Sequence, residues 1–334
     1  MRRHRPDLAD APLQPLADTG LAHWHVRLQG TPWLVRVPKQ SQMALSPEDN
    51  LVYQQACFAQ AAPSGHTPRL LGVLPVSGDL PRGALLVEAI AGHAARLPQD
   101  LTAIAEALAA LHALPVPSEP TPLHRPADPL ADLLAAIDQQ AAHLSAAGLS
   151  APARQAIELE REGFAERVAR ADRPPCSLIA FDAHPGNFLC DGDGRAVLVD
   201  LEKLRIGPPG LDLAHATLYT STTWDVASRA VLDTAQERAF ITAWAARVGT
   251  IAPLSAAWHV PLRRAMWLWS ITWCAQWRVL SGLPPGGQGA DWSGALSEPA
   301  LVTHVRNRVD HYLDANTIAQ LQAGFDALER ALRT

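Results

Sequence analysis

Residues 178–214 constrain this chain more than any other stretch: LIAFDAHPGNFLCDGDGRAVLVDLEKLRIGPPGLDLA. Two short apolar runs, Phe188-Leu189-Cys190 and Ala196-Val197-Leu198-Val199, flank Asp191-Gly192-Asp193-Gly194. Asp-Gly pairs between apolar runs predict a β-hairpin. The two strands of a hairpin bring their outer ends together. Asn187 at the entrance and Asp200 at the exit should therefore meet in space, with Asp182, five residues before Asn187, in the loop beside them.

Three oxygen-bearing side chains so placed suit phosphoryl transfer. Mg²⁺ takes hard oxygen ligands, usually one or two carboxylates with phosphate oxygens and water. Asn187 and Asp200 would supply the protein oxygens, and Asp182 would accept the proton of an attacking hydroxyl, or aim it. The Asp-to-Asn step, followed by a metal-binding Asp after the next strand, is the order of the kinase catalytic loop. An Asp five residues before an Asn is weak evidence alone. The full set is more specific: Asp182, His184-Pro185-Gly186-Asn187, the hairpin, Asp200-Leu201-Glu202, Gly207-Pro208-Pro209 and Asp212-Leu213-Ala214.

That set resembles the aminoglycoside phosphotransferase-like family of small-molecule kinases, whose members share the protein-kinase-like fold. The resemblance implies an α+β, two-lobe architecture. A small antiparallel-sheet N-lobe would span residues 1–88, a hinge 89–92, and a larger, mostly helical C-lobe 93–334. It implies ATP or GTP and Mg²⁺ as cofactors, and a hydroxyl-bearing small molecule as acceptor. It gives Asp212 the task of steadying the catalytic loop through hydrogen bonds to its backbone, with His184 as further support. Two positions depart from the family pattern. Ala180 stands where the family has His, and Phe181 replaces the small residue before the catalytic Asp.

Upstream, Ala22–Leu28 alternates as a strand and Trp33–Val37 reads as its partner across the Gln29-Gly30-Thr31-Pro32 turn. Pro68–Leu74 and Gly83–Glu88 read as further strands of a sheet of about five. By the resemblance, the loop Asp18-Thr19-Gly20-Leu21-Ala22 covers the nucleotide phosphates. Arg36, closing an aliphatic run before Pro38, would meet the α- and β-phosphates, with Lys39 a nearby alternative. A guanidinium can bind phosphate bidentately, whereas an ammonium acts as a point charge. A helix over Pro47–Ala61, capped by Ser46, places Asn50 where kinases put the Glu that holds this cation. Glu88 and Ile90 fall in the segment whose backbone would meet the base.

The remainder reads as helices. Asp100 caps one over 101–114, residues 115–127 are a Pro-rich loop, and Pro129 to Gly148 and Ser150 to about 171 follow. Thr234-Ala235-Gln236-Glu237 reads as a capping box for a helix closed by Gly249, and helices over 298–313 and 316–332 end the chain. His112, His124 and His143 lack metal-ligand spacing and are expected to be structural or solvated. The hydroxyl-rich Thr220–Asp225 turn either caps a helix or borders the substrate. Trp269, Trp273 and Trp277 share one helix face. A packed core is the preferred reading of that face. The alternative is an aromatic wall of the substrate pocket, with Arg263, Arg264 or Arg278 recognising an anion.

A chain of 334 residues can bury a sizeable core. Its formal net charge of -5 leaves no electrostatic footprint for nucleic acid. The four cysteines show no C-x-x-C spacing, which suits a reducing compartment, and no apolar run is long enough to span a membrane. A cytoplasmic protein with no membrane or nucleic-acid partner is the expectation. Beyond Asp212, arginines balance the acidic residues, whereas a polycationic aminoglycoside would need an excess of carboxylates. The expected acceptor is therefore neutral or weakly charged. Two other functions stay open: a catalytically weak or inactive nucleotide-binding pseudokinase, which Ala180 and Asn50 would suit, and, ranked lower, a protein kinase.

Overall fold

The N-terminal sheet is assembled around an apolar strand, Ala84–Glu88, the fifth in the chain. In the computed structural model, which describes residues 5–8, 10–17, 20–118, 121–283 and 293–333, β1 (Leu13–Pro15), β2 (His23–Leu28), β3 (Trp33–Pro38), β4 (Leu70–Leu74) and β5 (Ala84–Glu88) form one antiparallel sheet. Its order is β1-β2-β3-β5-β4. Successive β5 side chains point to opposite faces. Leu85 and Val87 pack with Leu51 and Phe58 of α1 (Pro47–Ala61). Ala84 and Leu86 pack with Leu28, Val35 and Leu74 on the other face. Ser46 caps α1 as expected, accepting from the Asp49 N–H at 3.1 Å. Strand β1 lies in a stretch that reads as loose surface. Its side chains are exposed, and main-chain pairing of Leu13 with Leu28 and Pro15 with Val26 holds it.

After β5 the chain forms β6 (Gly92–Ala94), so the last residue of the expected hinge is already in a strand. A Cβ on Gly92 would run into the Cys190 carbonyl, so this close approach of backbones requires glycine. There follow α2 (Leu101–His112), α3 (Pro129–Ala141), α4 (Ala151–Val168), β7 (Ser177–Ile179), β8 (Phe188–Asp191), β9 (Ala196–Leu198) and β10 (Arg205–Gly207). Helix α3 stops short of Gly148, because the chain tightens into i→i+3 turns such as His143 N–H to Gln140 O and Leu144 N–H to Ala141 O. The hairpin β8–β9 forms where the Asp-Gly turn places it, and β6 extends it to three strands. β7 and β10 pair antiparallel, Ile179 opposite Arg205, which sets the Asp182 loop beside the Asp200–Leu204 segment.

The C-terminal body comprises α5 (Gly210–Thr217), α6 (Tyr219–Thr222), α7 (Thr234–Val248), α8 (Ala256–Ser281), α9 (Pro299–Tyr312) and α10 (Ala315–Arg333). The capping box of α7 is one residue earlier than expected: Asp233 accepts from the Gln236 N–H, and the Gln236 side chain accepts from the Asp233 N–H. Helix α8 carries much of this core, burying Met266, Trp267, Leu268 and Ile271. The Pro284-Pro285-Gly286-Gly287 stretch, whose composition alone predicts a loop, and the residues Asp18 and Thr19 lie outside the described residues. Among the described residues, no helix is long and apolar enough to cross a membrane.

Candidate active site

A cavity of about 340 Å³ opens between the N-terminal sheet and the helical body. Asp182, Asn187 and Asp200 all line it, as do Arg36, His184 and Gly20. Lys39, Asn50, Glu88, Ile90 and Asp212 do not.

The Asp182 loop is anchored from behind. Asp212, fully buried on α5, accepts from the Ala180 N–H at 2.7 Å through Oδ2 and from the Phe181 N–H at 2.8 Å through Oδ1. His112 at the end of α2 sits 3.0 Å from Asp212 Oδ2. Indole N–H is only a donor, so the 3.0 Å contact from Trp244 Nε1 makes His112 Nδ1 the acceptor and leaves Nε2–H to donate to Asp212. His112, expected to be structural, thus supports the loop whose own histidine position holds Ala180. Phe181 sits at φ +59°, in the left-handed region that favours the small residue of the family pattern. Its ring compensates by packing: the Arg205 guanidinium lies 3.7 Å above it and Trp269 meets it edge-on at 5.1 Å.

Asp182 points into the cavity. Its Oδ2 accepts from Lys203 Nζ at 2.8 Å, and its Oδ1 lies 3.8 Å from His215 Nδ1. Burial would raise its carboxyl, but Lys203, then His184 and His215, outweigh burial and hold it below the ordinary carboxylate value. Asn187, which lines the cavity, donates from Nδ2 to the Asp182 carbonyl at 2.8 Å, a bond that does not use its Oδ1. His215 is kept neutral at physiological pH, its value pushed down to about 4 by burial.

Arg36 lines the cavity, both of its terminal nitrogens engaged and its Nε without a hydrogen-bond partner among the described residues. It ion-pairs with Asp200 Oδ1 at 2.8 Å, donates to the Val199 carbonyl, and donates to His23 Nδ1 at 3.2 Å. His23 in turn donates from Nε2 to Gln54 Oε1 at 3.2 Å. Burial, with Arg36 next, pushes His23 down to about 3, so it stays the neutral relay. Asn50, read as the partner of Arg36, makes no such bond among the described residues. Gln54, one turn further along α1, reaches the cation through His23 instead. Lys39 is fully buried and donates to the Gly20 carbonyl at 2.8 Å and Ser297 Oγ at 3.1 Å. Glu88 pairs with Arg69 at 3.2 Å at the end of β5, while Ile90 is half-buried in the following connection.

Glu202 is the strongest sign of a missing cation partner. It is 4% exposed, yet neither carboxylate oxygen has a hydrogen-bond partner. Leaving a buried carboxylate unpaired is costly. Burial and neighbouring Asp200 push its carboxyl well above the ordinary value, whereas Arg36 and His23 pull Asp200 down against its own burial. Ligand atoms of His23, Asp200 and Glu202 lie within 4.8 Å of one another. A hard divalent cation at Asp200 and Glu202 would bind those unpartnered oxygens and favour the carboxylate form, so the donor set fits Mg²⁺.

One side of the cavity is aromatic. Trp224, Trp269, Trp273, Tyr312, Thr220 and Asp225 line it. Trp224 and Trp273 meet edge-to-face at 5.7 Å, and Trp224 stacks on Tyr312 at 6.4 Å. The tryptophan face of α8 is thus divided: Trp269 and Trp273 form wall, and Trp277, 4% exposed, is core. None of the three arginines read as anion readers reaches the cavity. Arg263 is buried on Glu237 and Thr217, Arg264 pairs with Glu160 and Asp326, and Arg278 pairs with Asp310. Four carboxylates do line the cavity, two of them already neutralised by Arg36 and Lys203.

Sequence reasoning missed His23, Gln54, Glu202, Lys203 and His215 as site residues. His23 and Arg36 were findable, since the β2–β3 register sets His25 opposite Arg36 and His23 diagonal to it. Lys203, one of only two lysines, stands three residues after Asp200.

A small antiparallel sheet over a helical body, with a loop Asp, an Asn and a hairpin-borne Asp in the cleft between them, defines a protein-kinase-like phosphotransferase. Residues 14–248 match the family model described as phosphotransferase enzyme family, and the chain belongs to that family. Solved structures agree on the fold. A choline/ethanolamine kinase family protein from Mesorhizobium loti aligns over 97% of this chain and 95% of its own at TM-score 0.62 and 18% identity. The GDP complex of wild-type aminoglycoside 2'-phosphotransferase-IIIa aligns over 92% and 96% at 0.58 and 15%. Choline kinase LicA from Streptococcus pneumoniae aligns over 92% and 97% at 0.53 and 12%. A search of curated proteins finds no match.

Proposed function

We propose that this protein is an ATP- and Mg²⁺-dependent small-molecule kinase that moves a γ-phosphoryl group to an acceptor hydroxyl. The observation that carries this is the meeting of Asp182, Asn187, Asp200 and the unpartnered Glu202 in one cavity. Asp182, ionised at neutral pH, takes the hydroxyl proton. Asn187, Asp200 and Glu202 would hold the metal, which when bound supplies charge neutralisation to the phosphate oxygens. Arg36 holds Asp200 Oδ1 from the wall of the same cavity. Catalysis is mostly positioning and charge stabilisation.

The acceptor is a compact hydroxyl compound with a face that stacks on Trp269, Trp273 and Trp224. The cavity offers one carboxylate on that side, Asp225, not the several that a polycation needs. Aminoglycosides are therefore poor substrates in this reading. Its test is a screen of hydroxyl metabolites and antibiotics for ADP release with wild type and Asp182→Asn. Turnover of a metabolite that Asp182→Asn loses by about 100-fold or more supports the mechanism; equal turnover by both sinks it. Mg²⁺–ATP binding with no acceptor in the whole pool would favour the pseudokinase.

A further inference from the structure

The transferring phosphoryl group carries negative charge between Asp182 and the metal ligands, two sets of carboxylates that would repel it. A cation must face it from the protein. Of the two residues that sequence suggested, Lys39 does not line the cavity and donates to the Gly20 carbonyl and Ser297, and Arg36 lines it with its terminal nitrogens held by Asp200, His23 and the Val199 carbonyl, on the metal-ligand side. Lys203 is differently placed. It lines the cavity, its Nζ lies 2.8 Å from Asp182 Oδ2, and the Trp269 ring stands 5.3 Å behind it. An ammonium has three N–H donors. One is bonded to Asp182, and among the described residues Nζ forms no other hydrogen bond.

We propose that Lys203 is a catalytic residue that donates to the γ-phosphoryl group of the bound nucleotide, supplying from the metal-ligand segment a cation on the Asp182 side of the cleft. The inference rests on the phosphoryl-transfer reading of this cleft. In the step, the acceptor O–H bond breaks and its proton passes to Asp182. The acceptor O–P bond forms as the bond from the γ-phosphorus to the β-bridging oxygen breaks, and that electron pair stays on ADP. Lys203 keeps its three protons. It spans Asp182 and the phosphoryl oxygens, so one ammonium aims the proton acceptor and neutralises the group in flight. Trp269 stands behind the ammonium, and its ring face favours the charge at that point.

The test needs no acceptor. Affinities for Mg²⁺–ATP and Mg²⁺–ADP are measured by calorimetry on wild type, Lys203→Met and the double variant Asp182→Asn/Lys203→Met. The double variant removes both charges of the buried pair together, so it stays folded if loss of one alone does not. Wild type should prefer ATP. Both variants should lose about tenfold or more in ATP affinity with ADP affinity within twofold, since only ATP presents a γ-phosphate to Lys203. A purely structural lysine would not change this preference selectively. If wild type prefers ATP and the double variant keeps that preference, the role of Lys203 is overturned while the cleft reading stands. If wild type does not bind Mg²⁺–ATP at all, the cleft reading falls first.

Discussion

Asp212→Asn is the substitution that most sharply separates loop support from bulk stability. Asp212 has no exposed surface and accepts three bonds: Phe181 N–H on Oδ1, and Ala180 N–H and His112 Nε2–H on Oδ2. Asparagine keeps one oxygen and turns the other into a donor. With the amide nitrogen at the Oδ2 position it opposes two donors, and Trp244 prevents His112 from exchanging tautomers. The better orientation puts nitrogen against Phe181 N–H alone, leaving one buried backbone donor unpaired at about 1–3 kcal/mol. Loss of the charge-assisted character of the remaining bonds adds roughly 1 kcal/mol. The total is about 2–4 kcal/mol, and the released residue is Phe181, whose left-handed backbone depends on that bond. Urea unfolding should show a lower midpoint at unchanged m-value. Hydrogen exchange at the Ala180 and Phe181 amides should accelerate more than exchange in α8. A variant within about 0.5 kcal/mol of wild type, with those amides still protected, would refute the anchoring argument.

Three further outcomes follow from the same geometry. Burial pushes His259 down to about 4 from 6.5, so the unfolded chain binds the extra proton between those values and stability falls as pH drops below 6.5. At pH 5 this group accounts for about 2 kcal/mol of that loss, and His259→Leu should flatten the acid limb of a thermal-stability profile; an unchanged slope would count against it. Phe181→Gly relieves roughly 1–2 kcal/mol of backbone strain but removes a ring that is 3% exposed. It should destabilise by about 2–4 kcal/mol net, and a stabilised variant in a melting assay would show that strain outweighs packing. In Gly186→Ala, the added Cβ would lie 2.9 Å from both Asp225 and His184, so turnover should fall about tenfold or more with little change in melting; retained turnover would show that this loop has slack.

The motif-bearing stretch was legible because its information is local. An Asp-Gly turn between apolar runs fixes a hairpin, and a hairpin fixes the meeting of its ends. The tie between Asp212 and the loop was legible only through family resemblance, since the His112 that completes it lies 100 residues away. The partners of the expected phosphate clamp were hidden for a physical reason. Arg36 was read for the phosphates alone, but it is 3% exposed, and burial requires partners that β2, α1 and the hairpin supply together. Asn50 and Gln54 differ by one turn, and spacing along α1 cannot tell which of them meets β2. The division of the tryptophan face was equally hidden: a four-residue period says which residues share a side, not where the cavity ends. Glu202 and Lys203 sat in plain sight inside a recognised motif, read there only for Asp200.

The central claim is that Asn187 and Asp200, with Glu202, hold one divalent cation with a nucleotide beside Asp182. It is tested most directly by electron paramagnetic resonance titration of Mn²⁺ in the presence of ATP. Wild type should bind one Mn²⁺ per chain in an ATP-dependent manner, and Asp200→Asn and Asn187→Leu should each weaken it about tenfold or more. Mn²⁺ binding of equal strength in all three proteins would contradict the account.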